Sequence, residues 1–75
     1  MVKCLADLPV GAQAKVLKVQ GTDDVSLRLL EMGMTPGVNV TLVGTAPLGD
    51  PLELELRGYR LSVRKSEAAR VEVQT

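Results

Sequence analysis

The sequence predicts a mostly β fold: a small, SH3-like, partly closed barrel of about five strands with one inserted short α-helix. Three observations lead to this prediction. The segments LELELR at residues 52–57 and YRLSVR at residues 59–64 alternate apolar and polar side chains, as half-buried strands do. Shorter strand-like segments lie on both sides of them, and one longer stretch has helical periodicity. A chain of 75 residues removes the exposed edges of such short strands by curling the sheet.

The first part of the chain is predicted to hold one strand and the helix. Residues 4–11 form an entry segment, and residues 12–20 form the first strand, with apolar side chains on both faces. The helix follows over residues 24–32. Its N-cap is Thr22 or Asp23, because both side chains can accept a hydrogen bond from the first helical turn.

The helix ends within the segment LRLLEMGMTPG at residues 27–37. Gly33 stands where a helix end needs a residue that adopts the left-handed conformation. A Thr-Pro-Gly turn at residues 35–37 follows, since proline cannot continue a helix and glycine frees the next bend. The second strand is expected over residues 38–46, with a bulge or bend at Gly44.

The remaining residues predict a hairpin and a closing strand. Residues 46–51, APLGDP, form a rigid loop because two prolines bracket a Gly-Asp turn. With residues 57–58 as the hairpin loop, the inward side chains pair in register: Leu56 with Tyr59, Leu54 with Leu61, and Leu52 with Val63. Residues 65–69 form one helical turn capped by Ser66, and residues 70–73 form the last strand.

The predicted helix has an unusually wide apolar face. Charged side chains form one narrow stripe, and apolar side chains cover roughly 200° of the circumference, where packing against one core needs about 100° or somewhat more. The apolar arc consists of Val25, Leu27, Leu29, Leu30 and Met32. Two explanations stand. Either the loops of a small domain cover the helix, or a spare face docks a partner, with Leu27 and Met34 on one flank and Val25 and Met32 on the other.

Size and charge bound the class of protein. Residues 1–75 are expected to form a single domain with a small core of Val, Leu and Met, because the chain holds only one aromatic residue. Nine basic and nine acidic residues give a net charge of 0, which argues against a nucleic-acid binder. Residues 57–75 nonetheless carry five basic and two acidic side chains, so a basic patch near the C-terminus is expected.

The sequence predicts a cytoplasmic location. The first residues lack the apolar stretch of about 7 to 15 residues found in secretion signals, and no run approaches the ~18 residues of a membrane span. Cys4 is the single cysteine, so an internal disulfide is excluded and a reducing compartment is expected. Contact with a membrane is expected only through a partner.

The residue types that catalysis needs are missing from the sequence. The chain has no histidine, the commonest general base and transition-metal ligand. Solvation and helix capping explain the paired carboxylates, Glu53 with Glu55 and Asp23 with Asp24, better than acid–base chemistry does. No P-loop or dinucleotide-binding glycine motif is present. We therefore expect no catalytic residue, metal ligand or cofactor, and we expect that the protein is not an enzyme.

Three segments in order resemble the ferrous iron transport protein A family of bacteria. They are LEMGMTPG at residues 30–37, APLGDP at residues 46–51 and LSVRKSEA at residues 61–68. Each segment alone is weakly specific, but their order and spacing are typical of the family, and the resemblance covers nearly the whole chain. It implies an SH3-like barrel, a cytoplasmic location, and assistance to a large membrane protein that couples a GTP-binding domain to ferrous iron uptake.

The resemblance and the wide apolar helix face together predict a non-enzymatic accessory protein that docks on the cytoplasmic part of that transporter. The residues expected to make the contact are Leu27, Leu30, Met32, Gly33, Met34, Pro36, Gly37, Pro47, Leu48, Asp50 and Pro51. Two alternatives stay open: regulation of the transporter's GTP hydrolysis through Arg57, Arg60 or Arg64, and direct binding of Fe(II) or another divalent metal. Weak self-association is the other interaction considered, and nucleic acid is not an expected partner.

Overall fold

The computed structural model describes residues 2–75, whose strands form one antiparallel sheet. The elements are β1 (Val2–Cys4), a 3₁₀ turn (Leu5–Asp7), β2 (Gln13–Val19), α1 (Asp24–Glu31), β3 (Asn39–Thr45), β4 (Leu52–Leu56), β5 (Tyr59–Val63), α2 (Lys65–Ala68) and β6 (Val71–Gln74). None of the helices in this range has the length and apolar character needed to cross a membrane.

The sheet curls but does not close. Its strand order is β1-β6-β2-β3-β4-β5, and within residues 2–75 the two end strands, β1 and β5, do not pair. The predicted mostly β, partly closed architecture with one inserted helix is confirmed. The sheet has six strands where about five were expected, because β1 pairs with β6 and places Lys3 opposite Val73. A strand of three residues is too short to show an alternating pattern in the sequence.

The β4–β5 hairpin has the predicted register. Leu52 faces Val63, Leu54 faces Leu61, Leu56 faces Tyr59, and Glu55 faces Arg60. The loop residues Arg57 and Gly58 have φ values of +52° and +82°. Positive φ at both loop positions defines a type I′ turn, whose twist matches that of the flanking strands. Arginine gives a weak turn signal, so the apolar register and not the loop residue predicts this hairpin.

Alternate residues of the strands form the core, together with buried side chains from the helical segments and loops: Leu5, Leu8, Leu29, Met34, Val38 and Ala68. In β4 the three leucines are buried and the two glutamates are exposed, as the alternating pattern predicts. The predicted irregularity at Gly44 is confirmed, since the pairing of β3 with β4 shifts between Leu42 and Gly44. Such a bulge bends the strand, which helps the sheet to curl around its small core.

Helix α1 is capped by Asp23, which decides between the two caps predicted from the sequence. Its carboxylate accepts a hydrogen bond from the backbone N–H of Ser26 at 3.1 Å. The Ser26 hydroxyl is buried and donates to the Gln20 carbonyl at 2.6 Å. The start of the helix is therefore held to the end of β2.

Helix α2 begins differently from the prediction. Arg64 occupies its N-cap position, so the expectation that Ser66 caps this turn is wrong. The Glu67 carboxylate accepts the backbone N–H of Arg64 at 3.0 Å, and the Asp50 carboxylate accepts that of Lys65 at 2.9 Å. Carboxylates from α2 itself and from the 46–51 loop thus replace the serine hydroxyl, and Asp50 joins that loop to α2.

Candidate docking surface

Helix α1 ends in a Schellman motif. The backbone N–H of Gly33 donates to the Leu30 carbonyl at 3.1 Å. The next residue, Met34, donates to the Leu29 carbonyl at the same distance. Gly33 has a φ of +107°, in the region that residues with a Cβ rarely adopt. The predicted role of Gly33 as the helix cap is confirmed.

Met34 belongs to the core. Its side chain is fully buried, as is that of Leu29, and an apolar contact between these two positions commonly accompanies a Schellman motif. The expectation that Met34 flanks an exposed docking face is therefore wrong. A glutamate at this position would be a buried charge, so that substitution would test folding and not docking.

Tyr59 attaches the helix end to the hairpin. Its hydroxyl donates to the Met32 carbonyl and occupies the space that a Cβ on Gly33 would need. A Leu56 methyl group would also lie 3.3 Å from that Cβ. Gly33 is thus required for close approach as well as for its φ. Sequence reasoning missed this role of Tyr59, because its partner carbonyl lies 27 residues away in the chain.

The turn after α1 is tied to two neighbouring segments. The backbone N–H of Gly37, whose φ is +93°, donates to the Val16 carbonyl of β2 at 2.8 Å. The Arg57 guanidinium donates to the Thr35 hydroxyl at 3.1 Å. Pro36 and Gly37 are exposed, and the geometry of the turn accounts for both residue types.

The apolar arc of α1 divides between the core and solvent. Leu29 is buried and Val25 and Met32 are half-buried, whereas Leu27 and Leu30 expose 56% and 37% of their surface. The fold therefore covers part of the wide arc and leaves another part exposed, and docking through the exposed part stays a prediction. Leu27 and Leu30 are three positions apart and lie on the same face of the helix, which we call the exposed apolar face of α1.

The 46–51 loop presents Leu48 to solvent. The Ala46 N–H donates to the Pro51 carbonyl at 3.0 Å, and the Gly49 N–H donates to the Ala46 carbonyl at 2.8 Å. These bonds close the loop, with Pro47 exposed at the first central position of the turn. Leu48 exposes 96% of its surface. The sequence predicted the rigidity of this loop, and the structure adds that a leucine projects from it.

An open groove of about 430 Å³ lies between α1, α2 and the end of β5, and we call it the α1–β5 groove. Its lining residues are Arg28, Met32, Pro51, Ser62, Arg64 and Glu67. Met32 and Pro51, which belong to two separate predicted contact segments, both line this groove. Leu27, Leu30 and Leu48 do not line the groove.

Two ion pairs hold α1 to the C-terminal part of the chain. Arg70 donates to both carboxylate oxygens of Asp23, at 2.6 and 2.7 Å, and Arg28 pairs with Glu67 of α2. The hydrogen bond from Arg70, followed by that from the Ser26 N–H, lowers the pKa of Asp23 from 3.8 to about 2. The partners are 47 and 39 residues apart, so no local sequence pattern could have indicated them.

The titratable groups do not assemble into a reactive cluster within residues 2–75. No group of three or more His, Cys, Asp or Glu side chains in that range is arranged to hold a metal ion. The Cys4 thiol donates to the Asp7 carboxylate at 3.1 Å, and burial, aided by that hydrogen bond, raises the pKa of Cys4. In the same range, the ion pairs do not include Arg57, Arg60 or Arg64.

The architecture defines the chain as a small, open, SH3-like β domain with apolar projections and a groove on its surface. The sequence model of the FeoA domain family matches residues 3–75 of the chain. The chain therefore belongs to the FeoA domain family, and the resemblance found in its sequence is confirmed.

Two solved structures show how closely the fold is shared. The FeoA-like protein of Clostridium acetobutylicum is 36% identical, with a TM-score of 0.91 over 97% of this chain and 85% of that one. Stenotrophomonas maltophilia FeoA, solved in complex with zinc and described as a procaryotic SH3 domain protein, is also 36% identical. Its TM-score is 0.84 over 95% of this chain and 88% of that one. The SH3-like character predicted from the sequence is confirmed.

A third relative contains a FeoA part and a transporter in one polypeptide. The Fe(2+) transport protein A/Fe(2+) transporter FeoB fusion protein of Porphyromonas gingivalis is 39% identical over 70 residues, which are 93% of this chain. The chain spans only 8% of the length of that relative. The predicted association of the family with ferrous iron transport is confirmed, whereas the contact residues stay predictions.

Proposed function

We propose that the chain is a non-enzymatic accessory protein of bacterial ferrous iron uptake that docks on the cytoplasmic part of a membrane transporter with a GTP-binding domain. The observation that carries this proposal is the P. gingivalis relative, in which the FeoA and FeoB parts share one polypeptide. The description of the S. maltophilia structure, as a candidate activating factor of bacterial ferrous iron transport, supports an accessory role.

A FeoA domain that is not joined to the transporter by a linker would have to bind it through its own surface. Linked domains meet at effective concentrations of about mM, whereas separate domains need an interface with its own affinity. A few apolar or aromatic anchors usually supply most of that affinity. The exposed apolar side chains of this domain are therefore the first residues to test.

Leu27, Leu30 and Leu48 are the anchors that the structure favours. Because they are exposed, burial against a partner would remove apolar surface from water, at about 25 cal/mol per Å². Because backbone hydrogen bonds close the 46–51 loop, holding its backbone in place on binding costs little further backbone entropy. Gly33 and Met34 form the capped end of α1, the helix that carries Leu27 and Leu30.

Affinity measurements with the purified cytoplasmic part of a FeoB transporter test the proposal. Leu27→Glu and Leu48→Glu should each weaken binding by about tenfold or more, because a carboxylate would replace an anchor in a desolvated contact. Val10→Glu is the matched control, since Val10 is 61% exposed and lies in a different loop. Circular dichroism establishes that all three variants fold.

Two outcomes would contradict this proposal in different ways. Equal binding by all three folded variants would show that these leucines are not anchors. Absence of binding by the unsubstituted chain, both with and without guanine nucleotide, would show that the cytoplasmic part of the transporter is not its partner.

A further inference from the structure

Strand β5 is an edge strand whose free hydrogen-bonding groups point away from the sheet. Within residues 2–75 it pairs with β4 alone and ends the strand order. In a hairpin with a two-residue loop, hydrogen-bonded and non-hydrogen-bonded pairs alternate, starting with a hydrogen-bonded pair next to the loop. Tyr59 belongs to that first pair. Arg60 and Ser62 therefore direct their backbone N–H and C=O groups away from β4.

The geometry of this edge leaves it open to another strand. Edge strands are commonly protected by short length, by proline or by a bulge. The opposite edge, β1, has only three residues, but β5 has five, contains no proline and pairs with β4 in regular register. Ser62 lines the α1–β5 groove, so an extended segment lying in that groove would reach the free groups of the strand.

Positive charge is the protection that β5 does have. Arg60 and Arg64 are exposed and make no ion pair within residues 2–75. Arg64 continues the extended conformation, with φ of −69° and ψ of 149°, so alternation places both arginines on one face. Glu55 faces Arg60 from β4, on the side away from the open edge.

The positive charge of Arg60 and Arg64 determines which kind of segment can pair with the open edge of β5. A second copy paired through β5 about Ser62 would place Arg60 opposite Arg64 of the copy, and like charges directly opposite destabilise a sheet. Proline-rich segments bind grooves lined by aromatic rings, and none of the residues that line this groove in the described part of the chain is aromatic. A strand with carboxylates opposite the two arginines satisfies both the backbone groups and the charges.

We propose that the open edge of β5 binds an extended acidic segment of a partner protein, which adds a strand to the sheet beside α1. The segment pairs its backbone with Arg60 and Ser62 and carries two carboxylates spaced as Arg60 and Arg64 are. Met32 and Pro51, in the same groove, contact its apolar side chains. The proposal does not depend on which partner Leu27 and Leu48 contact.

A synthetic peptide with two glutamates at that spacing and valines at the alternate positions is the probe, and a lysine-for-glutamate version is its charge-swapped counterpart. The glutamate peptide should shift the backbone amide signals of residues 60–64 in NMR spectra. The double variant Arg60→Glu/Arg64→Glu should bind it about tenfold or more weakly and should bind the lysine peptide instead. Lys3→Glu/Lys15→Glu, with the same change of net charge at exposed sites, should leave affinity within about twofold.

Backbone pairing is tested separately from charge. N-methyl groups on the peptide amides that face β5 should abolish binding, whereas N-methyl groups on the alternate amides should not. Ser62→Pro should also abolish it, since it removes an outward N–H and leaves the β4 ladder intact. Equal binding by both methylated peptides, or equal loss in the two double variants, would overturn the proposal. Concentration-dependent dimers whose amide shifts map to β5 would also overturn it, because a second copy would then occupy the edge.

Discussion

The α1 junction at residues 27–37 and the 46–51 loop look alike in sequence and differ in what they do with their apolar side chains. Both combine leucine with proline and glycine. In the junction, Gly33 and Met34 are needed for the fold, since Gly33 caps the helix and Met34 packs in the core. In the loop the same residue types leave Leu48 in solvent. A cluster of glycine, proline and leucine in the sequence therefore indicates a constrained backbone. It does not tell which of the apolar side chains in the cluster are exposed.

Truncating one apolar side chain in each region should give the largest difference in the free energy of unfolding between the junction and the loop. Met34→Ala should lower the free energy of unfolding by about 2–5 kcal/mol, because it leaves a cavity in a small core. Leu48→Ala should change it by less than about 0.5 kcal/mol, as exposed substitutions do. Urea unfolding followed by circular dichroism measures both values. Similar values for the two variants would remove the distinction between the regions.

The glycines of the two regions offer a second comparison. Gly33 and Gly49 both have positive φ, but a Cβ has free space only at Gly49. Gly49→Ala should destabilise by about 1–2 kcal/mol through its backbone conformation alone, and Gly33→Ala should destabilise more because it also displaces Tyr59. Adding Tyr59→Phe to the Gly33→Ala variant should recover part of that extra loss. If both glycine variants unfold at the same urea concentration, the close approach of Tyr59 has no energetic weight.

The anchoring of α1 should make stability depend on pH in the acid range. The pKa of Asp23 is lowered from 3.8 to about 2 by Arg70, so the unfolded chain takes up a proton at higher pH than the folded chain does. Stability from this group is present above about pH 4 and is lost as pH falls toward about 2. Asp23→Asn keeps a capping side chain and removes the charge, so its urea midpoint should fall less over this range. An unchanged pH profile would contradict the role given to the Arg70 pair.

The ion pair between the two helices should have the smallest effect. Arg28 is largely exposed, so Arg28→Ala should lower stability by only about 0.2–1 kcal/mol, and salt should reduce the difference. Thermal unfolding at low and high ionic strength measures this. A loss that salt does not change would indicate that the aliphatic part of Arg28 packs, and that its charge contributes little.

Local patterns predicted the parts of the fold that depend on neighbouring residues. The hairpin register followed from the alternation of leucine and glutamate in β4, and the end of α1 followed from Gly33. Local patterns did not predict strand β1, because three residues are too few to show an alternation of apolar and polar side chains. Serine is a common cap, so the sequence predicts Ser66 at the start of α2, whereas carboxylates from Asp50 and Glu67 fill that role.

The candidate surface was harder to predict, for a geometric reason. A helical wheel gives the width of an apolar arc but not the direction in which the sheet lies, so Leu27 and Leu29 could not be separated. Met34 lies beyond the helix, where the wheel no longer applies, and the Schellman motif turns it inward. The edge of β5 was not foreseen at all, since it depends on strand order, which needs contacts that are distant in the chain.

In the proposed complex, Leu27, Leu30 and Leu48 contact the partner, whereas Gly33 and Met34 maintain the fold of the chain. Methyl and amide NMR spectra of the labelled chain, titrated with the cytoplasmic part of a FeoB transporter, test this claim most directly. The signals of Leu27, Leu30 and Leu48 should shift or broaden first, while those of Val10 stay in place. Saturable binding with shifts at Val10 and none at the three leucines would contradict it.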